Sequence, residues 1–247
     1  MDVVSPVAVD VVSHPGRERA AERTAVLDAR ELYRFYRAGP EEVLALRGVS
    51  LAVERGEMVV VTGPSGSGKS TLLACLAGLD EPDGGQVRIA GELLSHRPEG
   101  ERTLMRRRLV GVLRQTGNLV GHLSVLDNLR LVQSLRGRRR GPSPAEALLT
   151  QVGLTARTHA LPHQLSGGEL ARAGFAVALA ADPVVLLADE PTGELDRVTE
   201  RRVLELLQAA ARRGVAVVVA SHSPEVARVG DRVLRLSDGR WDTDGAR

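Results

Sequence analysis

Gly63-Pro64-Ser65-Gly66-Ser67-Gly68-Lys69-Ser70-Thr71 decides the reading of this sequence. The apolar run Met58-Val59-Val60-Val61 stands before it and reads as a buried strand. Leu72-Leu73-Ala74-Cys75-Leu76-Ala77 follows and reads as a buried helix. A strand, a Gly-rich turn and a helix opening on Lys-Ser is a phosphate-binding loop. Glycines let backbone N–H groups point inward at an anion, and the helix N-terminus adds positive potential. In such a loop Lys69 reaches the β- and γ-phosphates and the Ser70 hydroxyl ligates Mg²⁺. Composition sharpens the point: Lys69 is the only lysine, and every other one of the 33 basic residues is arginine. Arg is a poor substitute for a compact ammonium inside a tight loop.

At 247 residues the chain has room for one large α/β domain and a smaller inserted lobe. With 33 basic and 31 acidic residues the charge is balanced, so electrostatics make no case for nucleic acid. Two tyrosines, two phenylalanines and one tryptophan are too few to build base-stacking platforms. The single cysteine, Cys75, lies in an apolar helix and reads as a small buried hydrophobe in a reducing compartment. No apolar run approaches the roughly 20 residues of a membrane span, and charges interrupt the N-terminus before a signal core forms. The expectation is a cytoplasmic chain; if it works at a membrane, another chain supplies the spans.

Residues 1–25 read as a mobile extension, with Pro6, Pro15 and Gly16 breaking short apolar pieces. Val26 to Ala29 starts the first strand, and Glu41 to Val53 reads as strands around a bend. Gln86 to Ala90 alternates as a strand after the Asp83-Gly84-Gly85 turn. Residues 101 to about 165 look mainly helical, interrupted by a short strand, Val110 to Leu113. Ser124 caps one helix there, and Ser143-Pro144 opens another. Leu165-Ser166-Gly167-Gly168-Glu169 opens a helix running to about Ala180. Val184 to Ala188 is a continuous apolar run, as a central parallel strand requires. A helix over about 198–213, a strand over 215–220 and a terminal hairpin around Ser237 to Arg240 complete the pattern. Strands alternating with helices predict a parallel α/β sheet with ligands at the strand C-termini.

That rule gathers the chemistry. Gly63, Gln115, Asp189-Glu190 and His222 each follow a predicted strand and so converge on one sheet edge. Asp189 fits a carboxylate that holds Mg²⁺, directly or through water. Glu190 suits a general base for an attacking water. Gln115 can bridge Mg²⁺ and that water, and His222 can hydrogen-bond a γ-phosphate. Against these stand plainer readings: a strand-end cap, a solvated loop glutamine, a structural histidine. His14, His96, His122, His159 and His163 read as surface or packing residues. Ser166-Gly167-Gly168 reads as a second anion cradle at a helix N-terminus or as an ordinary capped helix start. Either the chain binds two anions or two copies share each nucleotide.

The ordered set GPSGSGKST, Gln115, LSGGE, VVLLADEP, ELD and Ser221-His222 resembles the ATP-binding subunit of an ABC transporter over roughly residues 26–241. EEVLALRGVSL and PTGELD are similar to its lipoprotein-releasing and macrolide-exporting branch. The resemblance implies an α/β P-loop NTPase of the ABC ATPase fold, with a parallel central sheet, an antiparallel N-terminal β part and a helical lobe at about 101–180, inserted within a domain spanning 26–247. It implies that Tyr36 stacks on adenine, with Tyr33 and Phe35 as competitors. Gly63, Pro64, Ser65, Gly66, Ser67, Gly68, Lys69, Ser70 and Thr71 would hold the phosphates of ATP, with Ser70, Gln115 and Asp189 around Mg²⁺. Glu190 would be the base and His222 the γ-phosphate switch. Ser166, Gly167, Gly168 and Glu169 would reach ATP held by a second copy in a head-to-tail dimer, with Asp196 at that interface. A transmembrane permease would be the partner, holding the chain at the inner face of the membrane.

The sequence departs from the family pattern at Glu169, Arg114, Val177, Ser223 and Glu194, none of them a phosphate, metal or base position. A non-transport ABC ATPase regulating a membrane-bound or cell-wall partner uses the same engine and stays open. A DNA-acting ATPase is disfavoured by the lack of a long heptad insertion. The run Arg136-Gly137-Arg138-Arg139-Arg140 reads as a solvated loop or as a contact to anionic lipid.

Overall fold

The run before the phosphate loop becomes β3 (Met58–Thr62), and its first four side chains are buried. The computed structural model describes residues 25–38, 41–136, 145–193 and 195–242. The expected extension at 1–25, apart from Ala25, lies outside them, as do the Ser143-Pro144 helix start, Glu194 and residues 137–140 of the arginine run.

β3 belongs to a sheet of order β10-β9-β3-β8-β7-β6. Its members are β6 (Val110–Leu113), β7 (Val185–Asp189), β8 (Ala216–Ala220), β9 (Arg232–Ser237) and β10 (Arg240–Trp241). All pair in parallel except β10, which returns antiparallel on β9. Alternation along each strand divides the core in two. Val59, Val61, Leu187 and Val218 face one cluster. Val60, Leu186, Val217 and Val219 face the other. Burial on both faces is why these strands read as unbroken apolar runs.

The first cluster also takes in helix α1 (Lys69–Leu76) and a second sheet of order β2-β1-β4-β5. That sheet consists of β1 (Ala25–Ala38), β2 (Glu41–Glu54), β4 (Gly84–Ile89) and β5 (Glu92–Leu93), all antiparallel. β2 is one strand rather than strands around a bend. Register shifts opposite residues 29–33, with Gly48 at φ +78°, absorb the irregularity that reads as a bend in sequence. A Cβ at Gly48 would lie 2.9 Å from the Tyr33 hydroxyl, so the ring lies over the glycine. Cys75 is buried in the same core, and burial pushes its thiol up to about 12.

Helices α2 (Glu99–Leu109), α3 (Val125–Leu135), α4 (Ala145–Gln151) and α5 (Gly167–Leu179) come from the stretch read as a helical lobe. Ser124 caps α3 as expected, its Oγ accepting from the Asp127 N–H at 3.1 Å. α3, α4 and α5 share the second cluster with α6 (Arg197–Arg212), and α5 lies so close to β6 that a Cβ at Gly111 would meet the Ala178 carbonyl at 2.3 Å. A short helix, α7 (Pro224–Val229), was not expected; Ser223-Pro224 is its only sequence mark. Phe175 on α5 is fully buried in this cluster. Phe175→Ala should therefore destabilise the fold by about 3–5 kcal/mol, as read from urea unfolding.

Candidate functional site

The parallel register brings the strand ends together. Val61 pairs with Ala220, Asp189 with Ala220, and Leu113 with Ala188. The chain therefore leaves the sheet at Gly63, Arg114-Gln115, Glu190 and Ser221 along one edge, which is the convergence predicted from sequence.

The phosphate loop is held from both sides. A Cβ at Gly63 would lie 2.1 Å from the Leu236 carbonyl oxygen, and one at Gly68 would lie 2.4 Å from that of Ala45. Both residues have positive φ, +147° and +102°. The Gly239 N–H ties the loop to the terminal hairpin through the Ser67 carbonyl at 3.1 Å. Lys69 is buried, and its Nζ donates to the Gly63 and Pro64 carbonyls at 2.8 and 2.9 Å. An ammonium has three donors, so one more can face an anion. The first turn of α1 carries no acidic residue, which leaves its positive end uncompensated. Pro64, Ser65, Gly66 and Ser70 form the exposed rim. Ser67 Oγ is buried with no hydrogen-bond partner among the described residues.

Glu190 follows β7 in a left-handed conformation, φ +45°, an uncommon backbone state for a glutamate. Its N–H donates to the Ala220 carbonyl at 2.9 Å. Ser221 Oγ donates to its Oε2 at 3.1 Å, and His222 Nδ1 to its Oε1 at 2.9 Å. The sequence reading gave Glu190 and His222 separate tasks; here the two side chains are bonded directly. With Nδ1 occupied, Nε2 of the exposed ring is the nitrogen open to a ligand. Buried Ser221 had no role in the sequence reading, although it sits beside His222 at the strand end. Gln115 Nε2 comes within 3.6 Å of the place where a Gly193 side chain would start, so it lies against the turn that carries Glu190. Ser70, Gln115 and Asp189 offer a hydroxyl, an amide and a carboxylate. That is the hard oxygen set Mg²⁺ takes while keeping waters.

Tyr36 sits on the phosphate-loop side, beside Thr71. Its hydroxyl donates to Asp80 Oδ2 at 2.6 Å, and the Arg34 guanidinium lies 4.8 Å over its ring. Burial and the Asp80 bond raise its pKa. Tyr33 packs instead over Gly48 and Gly84. With one face taken by Arg34, a stacking base has the opposite face of Tyr36.

The second cradle is a cavity of about 690 Å³ with walls from residues 157–172 and 195–202, none of them in the phosphate loop. Ser166 Oγ accepts from the Glu169 N–H at 3.2 Å, and the Ser166 N–H donates to Glu169 Oε2 at 2.9 Å. This reciprocal capping box starts α5. Arg157 Nε donates to Glu169 Oε1 at 2.9 Å. The Ser166 N–H and Arg157 together hold the Glu169 carboxyl below its ordinary range. Asp196 caps α6, accepting from the N–H groups of Val198 and Thr199 at 2.9 and 3.1 Å. The helix starts abut: a Cβ at Gly168 would meet Thr199 Cγ2 at 2.6 Å.

Residues 46–193 match the family model described as ABC transporter. The chain belongs to this family. It is 41% identical to the lipoprotein-releasing system ATP-binding protein LolD of Chromohalobacter salexigens, over 91% of this chain and 96% of LolD. It is 40% identical to the macrolide export ATP-binding/permease protein MacB of Chlorobium luteolum, over 92% of this chain and 34% of MacB. The dimeric bacterial ABC transporter cassette MJ0796 superposes with a TM-score of 0.81 at 35% identity, over 87% of this chain and 96% of that one. A second MJ0796 dimer, in a post-hydrolysis state bound to ADP and Pi, gives the same values. The chain is an ABC ATPase whose substrate is ATP, and the fold read from its motifs is the fold it has. Among the described residues no helix is long and apolar enough to cross a membrane.

The Glu169 shift has a pH consequence. A carboxyl depressed in the folded state contributes stability above its unfolded pKa and loses it as pH falls through the folded one. Carboxyl-resolved NMR titration should find Glu169 titrating below ordinary glutamates, and Arg157→Ala should move it upward.

Proposed function

We propose that two copies of this chain close head to tail on two MgATP molecules and drive a separate transmembrane permease. Each ATP would sit between residues 63–71 of one copy and Ser166–Glu169 of the other. The observation that carries this reading is the pair of anion cradles built by separate parts of one chain. A cradle with no phosphate-loop residue in its walls needs a second copy to meet ATP.

In this reading Lys69 and the loop amides bind the β- and γ-phosphates. Tyr36 orients the adenine. Bound Mg²⁺, held by Ser70, Gln115 and Asp189, would neutralise phosphate charge. Glu190 takes the proton of the attacking water, with Ser221 and His222 fixing its carboxyl. His222 Nε2 donates toward the γ-phosphate when protonated. Asp196 meets the partner copy beside the second cradle. Arg157 counters the charge of Glu169, which would otherwise repel an incoming phosphate.

Likeness to lipoprotein-releasing and macrolide-export proteins supports transport over the regulatory alternative. The permease would hold the chain at the inner face of the membrane. Residues 26–247 would form the cassette, with 101–180 as its helical lobe toward the permease and 1–25 as an extension.

Glu190→Gln leaves one acceptor oxygen for Ser221 or His222, puts an amide donor in the place of the other oxygen, and removes the base. It should lower ATP hydrolysis by about 10²- to 10⁴-fold while leaving ATP binding intact. Light scattering of that variant should show a monomer-to-dimer shift on adding ATP. Near wild-type turnover would overturn the base assignment, and ATP binding without dimerisation would overturn the shared site.

A further inference from the structure

Glu200, in the first turn of α6, ties together the two turns that carry the proposed catalytic groups. Its Oε1 accepts from Thr192 Oγ1 at 3.3 Å and from Ser223 Oγ at 2.9 Å. Thr192 is buried in the turn after β7, three residues beyond Asp189 and two beyond Glu190. Ser223 follows His222 in the turn after β8, and its N–H donates to Ser221 Oγ at 3.1 Å. That same Ser221 hydroxyl donates to Glu190 Oε2 at 3.1 Å. A continuous path of hydrogen bonds thus runs from Glu190 through Ser221 and Ser223 to Glu200. From there the Glu200 N–H donates to the Asp196 carbonyl at 2.8 Å, at the edge of the second cradle.

We infer that Glu200 is a positioning residue for hydrolysis. It holds the 189–193 and 221–223 turns at a fixed separation, so that Glu190 keeps its left-handed backbone and its carboxyl keeps its aim. The need for such a brace follows from the strain: a non-glycine residue at φ +45° persists only where its surroundings over-determine it. The inference rests on Glu190 being the base. The plainer role for an acidic residue in a first helical turn is to complement the helix dipole. The two roles separate experimentally, because the dipole responds to charge and the brace to an acceptor oxygen.

The experiment compares Glu200→Ala, Glu200→Gln, Ser223→Ala, Ser223→Asp and the double variant Glu200→Gln/Ser223→Asp in the full chain. Three quantities are read: steady-state ATP hydrolysis, thermal midpoint, and amide hydrogen exchange across 189–193 and 221–223. Glu200→Ala should lower kcat about tenfold or more with KM for ATP within about twofold, as misaligned catalytic groups do. Exchange at Gly193 and Ser223 should quicken about fivefold to tenfold. Glu200→Gln, still an acceptor, should stay within about threefold of the parent. Ser223→Asp sets a second carboxylate against Glu200 and should act like Glu200→Ala; adding Glu200→Gln should recover much of the loss.

Unchanged kcat and exchange in Glu200→Ala would overturn the inference. So would equal losses of thermal midpoint in Glu200→Ala and Glu200→Gln with kcat unaffected, which is the dipole outcome. If Glu200→Ala does not fold, Ser223→Ala removes the same bond from the other side and decides. If the parent chain turns over no ATP, the function proposed above fails, while the exchange data still decide whether Glu200 braces the two turns.

Discussion

Close approach of three backbone segments around residues 63–68 is the constraint on which this structure depends. The phosphate loop leaves β3 with the Leu236 carbonyl against Gly63 and the Ala45 carbonyl against Gly68. Any side chain at either glycine would collide with backbone, which cannot rotate away. Those contacts join the loop to β2 of the antiparallel sheet and to β9 of the parallel one. The loop is therefore the seam between the two sheets as well as an anion cradle. Lys69 completes it from inside by spanning the Gly63 and Pro64 carbonyls. A buried ammonium left without those acceptors would carry a desolvation cost of several kcal/mol. Contacts within the chain thus set the shape of the loop.

From that seam the parallel register places the rest. Strands β3, β8, β7 and β6 end almost level, so their following turns share one edge. The side chains there are linked to one another by hydrogen bonds. Glu190 is bonded to Ser221 and His222, and Glu200 links Thr192 to Ser223. Linked polar groups of this kind constrain one another's orientation.

The two helix starts proposed to receive phosphate are electrostatically unlike. α1 opens with no acidic residue in its first turn. α5 opens with Glu169, a carboxylate at the helix start proposed above to meet ATP of a second copy. Its charge is met on two sides, by the Ser166 N–H and by Arg157. The pairing with Arg157 reconciles a carboxylate in a capping box with the proposed role of this surface. Arg157 lies twelve residues upstream, within a 3₁₀ turn (Thr155–Arg157) that gives no motif signal of its own.

Much of this protein was legible in the order of its residues. Alternation and apolar runs located the strands because burial on one or both faces leaves a periodic trace. Glycines, Lys69 and the Asp189-Glu190 pair marked the chemistry because phosphate, metal and proton transfer each need particular atoms next to particular elements. What lay beyond reach were the relations between distant turns. Nothing near Tyr36 or Tyr33 says which ring will lie beside Thr71; the packing of β1 against α1 decides it. Nothing near Glu200 says that its carboxylate will meet Thr192 and Ser223, since that contact exists only once α6 packs beneath the ends of β7 and β8. The sequence by itself determined most of the elements and the family, and marked the candidate reacting groups, all carried by local pattern. Only the tertiary structure decided which side chains hold those groups in place, because hydrogen bonds between turns depend on packing that no local pattern encodes.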